Sequence, residues 1–245
     1  MAKTAKTDRQ KVIDEIKKKQ KGADRRRGMM IVGVCVAIAV LIIGAAAYKP
    51  IKDWWDKRQF NDVDLASIGG PASVCGDITT KDAEGSNDHR PSGEQVIYED
   101  APPAFGAHWN EANLAPAPID RRFYTDDRPE LESLVHNLEH GYTILWYDET
   151  AADDDEMMNQ IEGIATKMDV SDTNFRFKFI AAPWTKDDEK ESGKFPEGQH
   201  IALTHWKGGE KSEGIWQYCT EPSGEALKSF MDEYPYTDSP EPNAM

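Results

Sequence analysis

The most pronounced hydrophobic pattern in the chain is an uncharged apolar run at residues 29–48, MMIVGVCVAIAVLIIGAAAY. At about 1.5 Å of rise per helical residue, this run spans about 30 Å, which is the thickness of the hydrocarbon core of a bilayer. The sequence contains no second run of this kind. We therefore predict one transmembrane helix at residues 29–48, in contact with membrane lipid.

The region that follows, up to Tyr124, lacks a regular hydrophobic period. Residues 49–70 are mixed in character and end in Gly69-Gly70, so we expect a stalk. Beyond Cys75, turn-forming residues surround a short apolar segment and a Pro-Pro pair. Proline fits neither a helix interior nor a central strand. This part is therefore expected to hold loops with one or two short strands.

A helical period begins after Pro129. The i, i+3, i+4, i+7 spacing of one helix face is occupied by Leu131, Leu134, Val135 and Leu138. Gly141 then supplies the residue type that most often follows the end of a helix. Residues 142–147 form a β-rich run of strand length, so a helix followed by a strand is predicted.

The C-terminal part alternates between helical and strand patterns. A helical stripe covers residues 157–168, and strands are predicted at residues 175–181 and 201–206, on either side of a charged excursion. Ser223 is a favourable N-cap for a last helix.

Together these elements predict an α+β domain at residues 71–234, with helices packed on a mixed or mostly antiparallel sheet. The polar, Pro-rich residues 235–245 are expected to be a disordered tail.

Charge is distributed unevenly around the apolar run. Residues 1–28 carry 11 Lys and Arg against 4 acidic residues, and the remainder carries 18 against 40. The positive-inside rule places this basic leader in the cytoplasm and the C-terminal domain outside the cell membrane. A signal peptide cleaved near Ala45–Ala47 is the alternative. The acidic domain argues against a nucleic-acid partner, and the leader suits anionic lipid.

The three cysteines divide by environment. Cys35 lies inside the apolar run, whereas Cys75 and Cys219 lie in the predicted outer domain. An even pair in an oxidising compartment favours a structural disulfide, worth about 4–5 kcal/mol for so long a loop. A redox-active pair is the alternative, although the sequence contains no C-x-x-C motif.

Residues 136–140, HNLEH, match the H-x-x-E-H signature of inverted zinc hydrolases. His136 and His140 lie one helical turn apart and can face the same ligand. However, Gly141 follows at once, and a histidine at a helix end also suits the helix dipole. A hydrolase using Glu139 as a base is therefore the remote alternative. The sequence shows no nucleophile elbow, phosphate loop or haem motif.

A metal site without catalysis is a stronger interpretation of these histidines than a hydrolase, although a hydrogen-bonded histidine cluster is the commoner arrangement. His108 could complete a three-histidine set with His136 and His140, which would suit copper(II) or zinc. Met157 or Met158 could add a soft ligand, although their spacing also fits a helix core. The alternative is a hydrogen-bonded histidine cluster without metal. His89 lies in a polar loop and is expected only to be exposed, while His200 and His205 differ in strand parity and are not expected to share a site.

The segments IYEDAPPAFGAHW and LVHNLEHGYTILWY together resemble an uncharacterised actinobacterial membrane-protein family, domain of unknown function 3105. The resemblance covers about residues 70–234 and departs from the family pattern at His205-Trp206. Carried over by position, its marker residues are Pro102, Pro103, Gly106, His108, His136, Glu139, His140 and Gly141.

The overall layout also resembles an accessory subunit of the actinobacterial cytochrome bc–oxidase respiratory supercomplex. That resemblance implies a non-enzymatic protein whose outer domain docks on cytochrome subunits of a larger membrane complex. It implies no catalytic residue.

Overall fold

The structure, a computed structural model, describes residues 2–60, 62–83, 85, 87–169 and 178–244 of the chain. The chain forms two compact units, Met1–Asp56 and Lys57–Met245.

Helix α1, Ala2–Gln59, contains the apolar run. The large side chains of the run, such as Ile31, Leu41 and Ile43, are exposed, as expected of a surface that lipid can cover. Within the described residues it is the one helix long and apolar enough to cross a membrane. The length and apolar character of the predicted span are thus confirmed, while its sidedness stays a prediction.

The second unit is built on strands and short helices. Its strands are β1 (Thr79–Asp82), β2 (His89–Arg90), β3 (His108–Trp109), β4 (Thr143–Tyr147), β5 (Phe179–Pro183), β6 (Ile201–Lys207) and β7 (Glu213–Cys219). Its helices are α2 (Leu131–Glu139), α3 (Glu149–Ala152), α4 (Asp155–Asp169), α5 (Lys186–Ser192) and α6 (Gly224–Glu233).

Five strands form one sheet in the order β1-β7-β6-β4-β5. Strands β4 and β5 are parallel and are connected through α4, whereas the other neighbours are antiparallel. A parallel pair needs such a crossover because its strands start at the same edge. The prediction of an α+β domain on a mostly antiparallel sheet is confirmed.

The alternation of side chains along β4 separates two cores. Ile144 and Trp146 face the core that α2 covers, and Leu145 and Tyr147 face the core that α4 and α6 cover. Successive strand residues point to opposite faces, so a strand buried on both faces is apolar throughout. The result is a sheet between two layers, with α2 and the N-terminal loops on one side.

The disulfide lies in the core on the α4 and α6 side. Cys75 and Cys219 are bonded, with Cα atoms 3.9 Å apart, which confirms the predicted pair. Ser223 caps α6 by accepting a hydrogen bond from the Ala226 amide at 3.1 Å, also as predicted. Met157 and Met158 pack against this same core. The suggestion that either is a metal ligand beside His136 is therefore wrong, because the sheet separates them from α2.

Two elements of the second unit, α5 and β7, are not predicted by the hydrophobic pattern of the sequence. Helix α5 carries no apolar stripe, and a capping box between Thr185 and Asp188 stabilises its start. In β7, Gly214 and Gln217 interrupt the apolar run. The predicted strand at residues 175–181 begins at Phe179 in the structure, and residues 175–177 lie outside the described residues.

The boundaries of the folded domain also differ from the expected residues 71 and 234. Ile68 of the expected stalk is 3% exposed and belongs to the core, and Gly70 donates a hydrogen bond to the Pro222 carbonyl at 2.9 Å. The tail, expected to be disordered, lies against the domain, and Lys178 donates to the carbonyl of Ala244 at 2.6 Å. The two hydrogen bonds involve backbone groups, so composition does not reveal them.

Candidate metal site

Helix α2 is buried on all of its faces. Leu134, Val135 and Leu138 pack towards the sheet. On the other side, Asn137 pairs with the backbone of Ala117, accepting from its amide at 2.8 Å and donating to its carbonyl at 3.2 Å. Buried polar groups need such partners, so the N-terminal loops cover the polar face of α2 and with it the two motif histidines.

Strands β2 and β3 deliver two further histidines to this face. The two strands pair in parallel, which places His89 directly beside His108. The ring centroids of these two histidines are 4.8 Å apart. His108 is completely buried, whereas the His89 side chain is 42% exposed. The expected exposure of His89 is confirmed, but the residue lies in a strand paired with β3 and not in an isolated loop. A two-residue strand leaves no periodic signal, so nothing local in the sequence indicates this pairing.

Glu139 occupies the centre of the cluster. Its side chain is 1% exposed, and Oε2 lies 3.0 Å from Nε2 of His108 and 3.5 Å from Nε2 of His89. On the same helix, Nε2 of His136 and Nε2 of His140 are 3.0 Å apart. Among the described residues, ligating atoms within 4.8 Å of one another form two sets that share Glu139. The first set consists of His89, His108 and Glu139, and the second consists of His136, Glu139 and His140.

Backbone carbonyls fix the orientation of two of these rings. Nδ1 of His108 donates to the Gly106 carbonyl at 2.9 Å, and Nδ1 of His136 donates to the Trp109 carbonyl at 2.6 Å. A carbonyl only accepts, so Nδ1 of each ring carries a proton, and Nε2 is the nitrogen that carries the lone pair when the ring is neutral. Metal-ligating histidines have this arrangement, with one nitrogen held by a carbonyl and the other directed at the ion.

Two atoms at the contact between His108 Nε2 and Glu139 Oε2 lack hydrogen bonds. Neither His108 Nε2 nor Glu139 Oε1 has a hydrogen-bond partner within the described part of the chain, although both atoms are buried. A protonated His108 would form a buried ion pair with Glu139 Oε2, whereas a neutral His108 with its proton on Nδ1 presents a lone pair to this oxygen. A cation bound to both atoms would remove the repulsion in the second case. Ligands of tetrahedral zinc, at bond lengths of about 2.0–2.1 Å, lie about 3.3 Å apart, close to the separations in the cluster.

The electrostatics of the cluster favour the protonation states that bind metal. Burial, together with His140 and His108, lowers the pKa of His136 to about 4, so this ring is neutral at neutral pH. Burial alone would raise the pKa of Glu139, but its close contacts with His108 and His89 outweigh burial, and the pKa is lowered. A neutral imidazole and an ionised carboxylate are the forms in which His136 and Glu139 can bind a metal ion.

The structure places the predicted trio in one cluster but divides its ligating atoms between two sets: His136 and His140 belong to one set, and His108 belongs to the other with His89. Glu139 belongs to both sets. The other two histidines, His200 and His205, contact carboxylates outside the cluster. His200 contacts Asp148 at 2.9 Å, and His205 contacts Asp238 at 2.8 Å.

The other marker residues of the family pattern, Pro102, Pro103, Gly106 and Gly141, shape the backbone around the cluster. The Pro102 carbonyl accepts from Trp216 at 2.7 Å, which fixes the proline loop (residues 101–107) to β7. Pro103 is buried in the same loop. Gly106 and Gly141 have φ of 140° and 92°, a region that favours glycine.

The fold and the site define an α+β domain with a candidate histidine–glutamate metal centre. The chain belongs to the family described as protein of unknown function (DUF3105), whose profile matches residues 89–245. No curated protein and no solved structure matches the chain. The family match begins at His89 and includes all five residues of the cluster.

Proposed function

We propose that this protein is a non-enzymatic, membrane-anchored metal-binding protein. Its folded domain binds a divalent transition-metal ion at the histidine–glutamate cluster, where His136, Glu139 and His140 form one ligand set and His89, His108 and Glu139 form the other. Imidazole nitrogens with one carboxylate suit zinc and copper(II).

The observation that carries this proposal is the buried contact of His108 with Glu139. His108 Nε2 is buried without a hydrogen-bond partner among the described residues and lies 3.0 Å from Glu139 Oε2. A neutral imidazole and a carboxylate at this distance repel each other unless a cation binds both. A purely structural histidine cluster would instead be expected to satisfy each buried nitrogen with a donor or an acceptor. The carbonyl-held tautomer of His108 supports the same conclusion, since it directs the lone pair of Nε2 at Glu139.

The membrane part of the proposal rests on α1 and on charge. Residues 29–48 cross the lipid, the basic leader stays in the cytoplasm, and the acidic domain faces the extracytoplasmic side. The disulfide between Cys75 and Cys219 supports this sidedness, because disulfides persist in oxidising compartments.

Metal analysis of the full chain, purified in detergent, tests the proposal. We expect at least one zinc or copper ion per chain in the native protein and its loss from the double variant His136→Ala/His140→Ala. The matched control is His200→Gln, which changes a histidine outside the cluster and should retain the metal. A native protein with far less than one ion per chain would end this proposal.

The hydrolase alternative uses the same residues differently. A general base must reach a substrate-bound water, whereas Glu139 is 1% exposed and contacts two histidines. We therefore propose that Glu139 is a ligand and not a base. A zinc-dependent hydrolytic activity that Glu139→Gln abolishes while metal stays bound would reverse this assignment.

A second candidate function is that of an accessory subunit of a cytochrome bc–oxidase complex. In the described residues after Lys57, the large apolar side chains that stay exposed are Ile97, Leu114 and Ile119. All three belong to the N-terminal loops, and exposed apolar residues favour a protein contact. Purification of the full chain in mild detergent should then recover cytochrome subunits. Recovery of the chain alone at native expression levels would contradict this function.

A further inference from the structure

The C-terminal tail, residues 235–244, follows a defined path beside the histidine cluster. Asp238 anchors its first part, because its carboxylate contacts His205 Nε2 at 2.8 Å and its carbonyl accepts from the Gly208 amide at 2.6 Å. Lys178 anchors its last part by donating to the Pro242 carbonyl at 3.2 Å and to the Ala244 carbonyl at 2.6 Å. The tail is therefore held on both sides of Glu241.

Glu241 lies against the end of α2. Its backbone amide donates to the carbonyl of Glu139 at 2.9 Å, and its Oε2 lies 3.5 Å from Nε2 of His140. The first contact fixes the position of the residue, and the second directs its carboxylate at the atom that faces His136. The Glu241 side chain is 52% exposed, whereas that of His140 is 8% exposed.

We infer that Glu241 is the ligand that completes the metal site formed by His136, Glu139 and His140. This inference rests on the function proposed above and names a residue from the tail as part of the binding site. Glu241 Oε2 lies 3.5 Å from His140 Nε2, close to the ligand spacing of about 3.3 Å in a tetrahedral zinc site. It does not belong to the set of ligating atoms within 4.8 Å of one another, so the half-exposed side chain has to turn inwards to bind the ion. Two imidazoles and two carboxylates then give zinc its usual four ligands.

Charge supports this ligand set. A divalent cation with Glu139 alone would leave one uncompensated positive charge beside a buried helix end, and such a charge is costly. The carboxylate of Glu241 makes the ion and its ligands neutral overall. The partial exposure of Glu241 also gives the ion a route to the three buried ligands, since this carboxylate can turn outwards without disturbing the core.

The variant Glu241→Gln tests the inference in the full chain in detergent. Glutamine preserves the size of the side chain and the backbone hydrogen bond to Glu139 but removes the charged ligand. We expect zinc affinity, measured by competition with a chelator, to fall about tenfold or more. The matched control is Glu210→Gln, an exposed carboxylate in the turn between β6 and β7, which should leave affinity unchanged.

Cobalt(II) distinguishes a ligand from a structural residue, because its visible absorption reports the atoms bound to it. Weaker zinc binding by Glu241→Gln together with an altered cobalt spectrum supports the inference. Unchanged affinity, or weaker affinity with an unchanged cobalt spectrum, overturns it while the proposed function stands. A native chain that binds neither zinc nor copper overturns both.

Discussion

The Nδ1 atom of His136 donates a 2.6 Å hydrogen bond to the backbone carbonyl of Trp109. This bond joins α2 to β3, two elements that are far apart in sequence. It fixes the tautomer of a buried ring through a backbone group that no substitution of a side chain can remove. The geometry of the cluster therefore depends on how the N-terminal loops pack on α2, as well as on the H-x-x-E-H motif itself.

The substitution Glu139→Gln should weaken metal binding without lowering the stability of the metal-free protein. The side-chain amide that it introduces can donate to Nε2 of His108, which relieves the repulsion between two acceptors. Without metal, we expect the free energy of unfolding to stay the same or rise by about 1 kcal/mol. Metal affinity should fall about tenfold or more. Denaturant unfolding in the presence of a chelator, together with a zinc titration, measures both effects.

The opposite result would identify the contact as a structural ion pair. In that case Glu139→Gln would destabilise the metal-free protein, because a buried charged partner would be lost, and zinc affinity would not change.

Substitution of Gly141 by Ala should destabilise the domain through the tail. The φ of 92° costs a residue with a Cβ atom about 1–2 kcal/mol. In addition, that Cβ would lie 2.5 Å from the carbonyl oxygen of Tyr236 and 2.8 Å from Oγ of Ser239. The matched control is Gly198→Ala, where φ is 76° and the added Cβ meets no atom within 4 Å.

Comparison of the two variants isolates the contact with the tail. We expect Gly141→Ala to lose clearly more stability than Gly198→Ala in denaturant unfolding. It should also increase hydrogen exchange in residues 236–244. Equal losses would mean that the tail contributes little to the stability of this region.

Removal of the disulfide should lower stability without removing the metal. The bond between Cys75 and Cys219 closes a separation of 144 residues, and its loss typically costs about 2–5 kcal/mol. It lies in the core on the opposite face of the sheet from α2. Cys75→Ser/Cys219→Ser should therefore unfold at lower denaturant concentration and keep its native metal content at low temperature.

Cys35→Ser is the control for that experiment, because Cys35 is a free thiol of α1. We expect it to leave the unfolding transition of the domain unchanged. Loss of metal from the disulfide variant while it remains folded would show that the two faces of the sheet are coupled.

Lys178 should control the order of the tail. Its ammonium group donates to the carbonyls of His140, Pro242 and Ala244, at 2.6, 3.2 and 2.6 Å. Lys178→Met keeps the length of the side chain and leaves these acceptors without that donor. We expect a loss of about 1.5–3 kcal/mol in the free energy of unfolding and faster hydrogen exchange after residue 235. Unaltered exchange there would contradict this role.

The fold could be predicted where hydrophobic periodicity is strong. The apolar run of β4 and the stripe of α4 each occupy the predicted positions, because burial against the sheet determines them. The N-cap Ser223 was also predictable, since its side chain acts on its own helix. In contrast, α5 depends on a capping box and not on an apolar face.

The candidate site could be predicted only in part. His136 and His140 share a helix, so their proximity follows from the helical repeat. His89 joins them through pairing of two very short strands, and Glu241 through hydrogen bonds of the tail backbone. These contacts are tertiary and involve groups that every residue carries. The residue types at positions 89 and 241 therefore do not indicate that these side chains lie beside the cluster.

The proposed ligands are spread from His89 to Glu241, which is nearly the full length of the folded domain. During biogenesis, the nascent chain therefore carries the last of them only after residue 241 has been made. Fragments that end before Glu241 would lack this carboxylate and should be recovered with less metal than chains that include it. Metal content thus reports whether a molecule retains its tail.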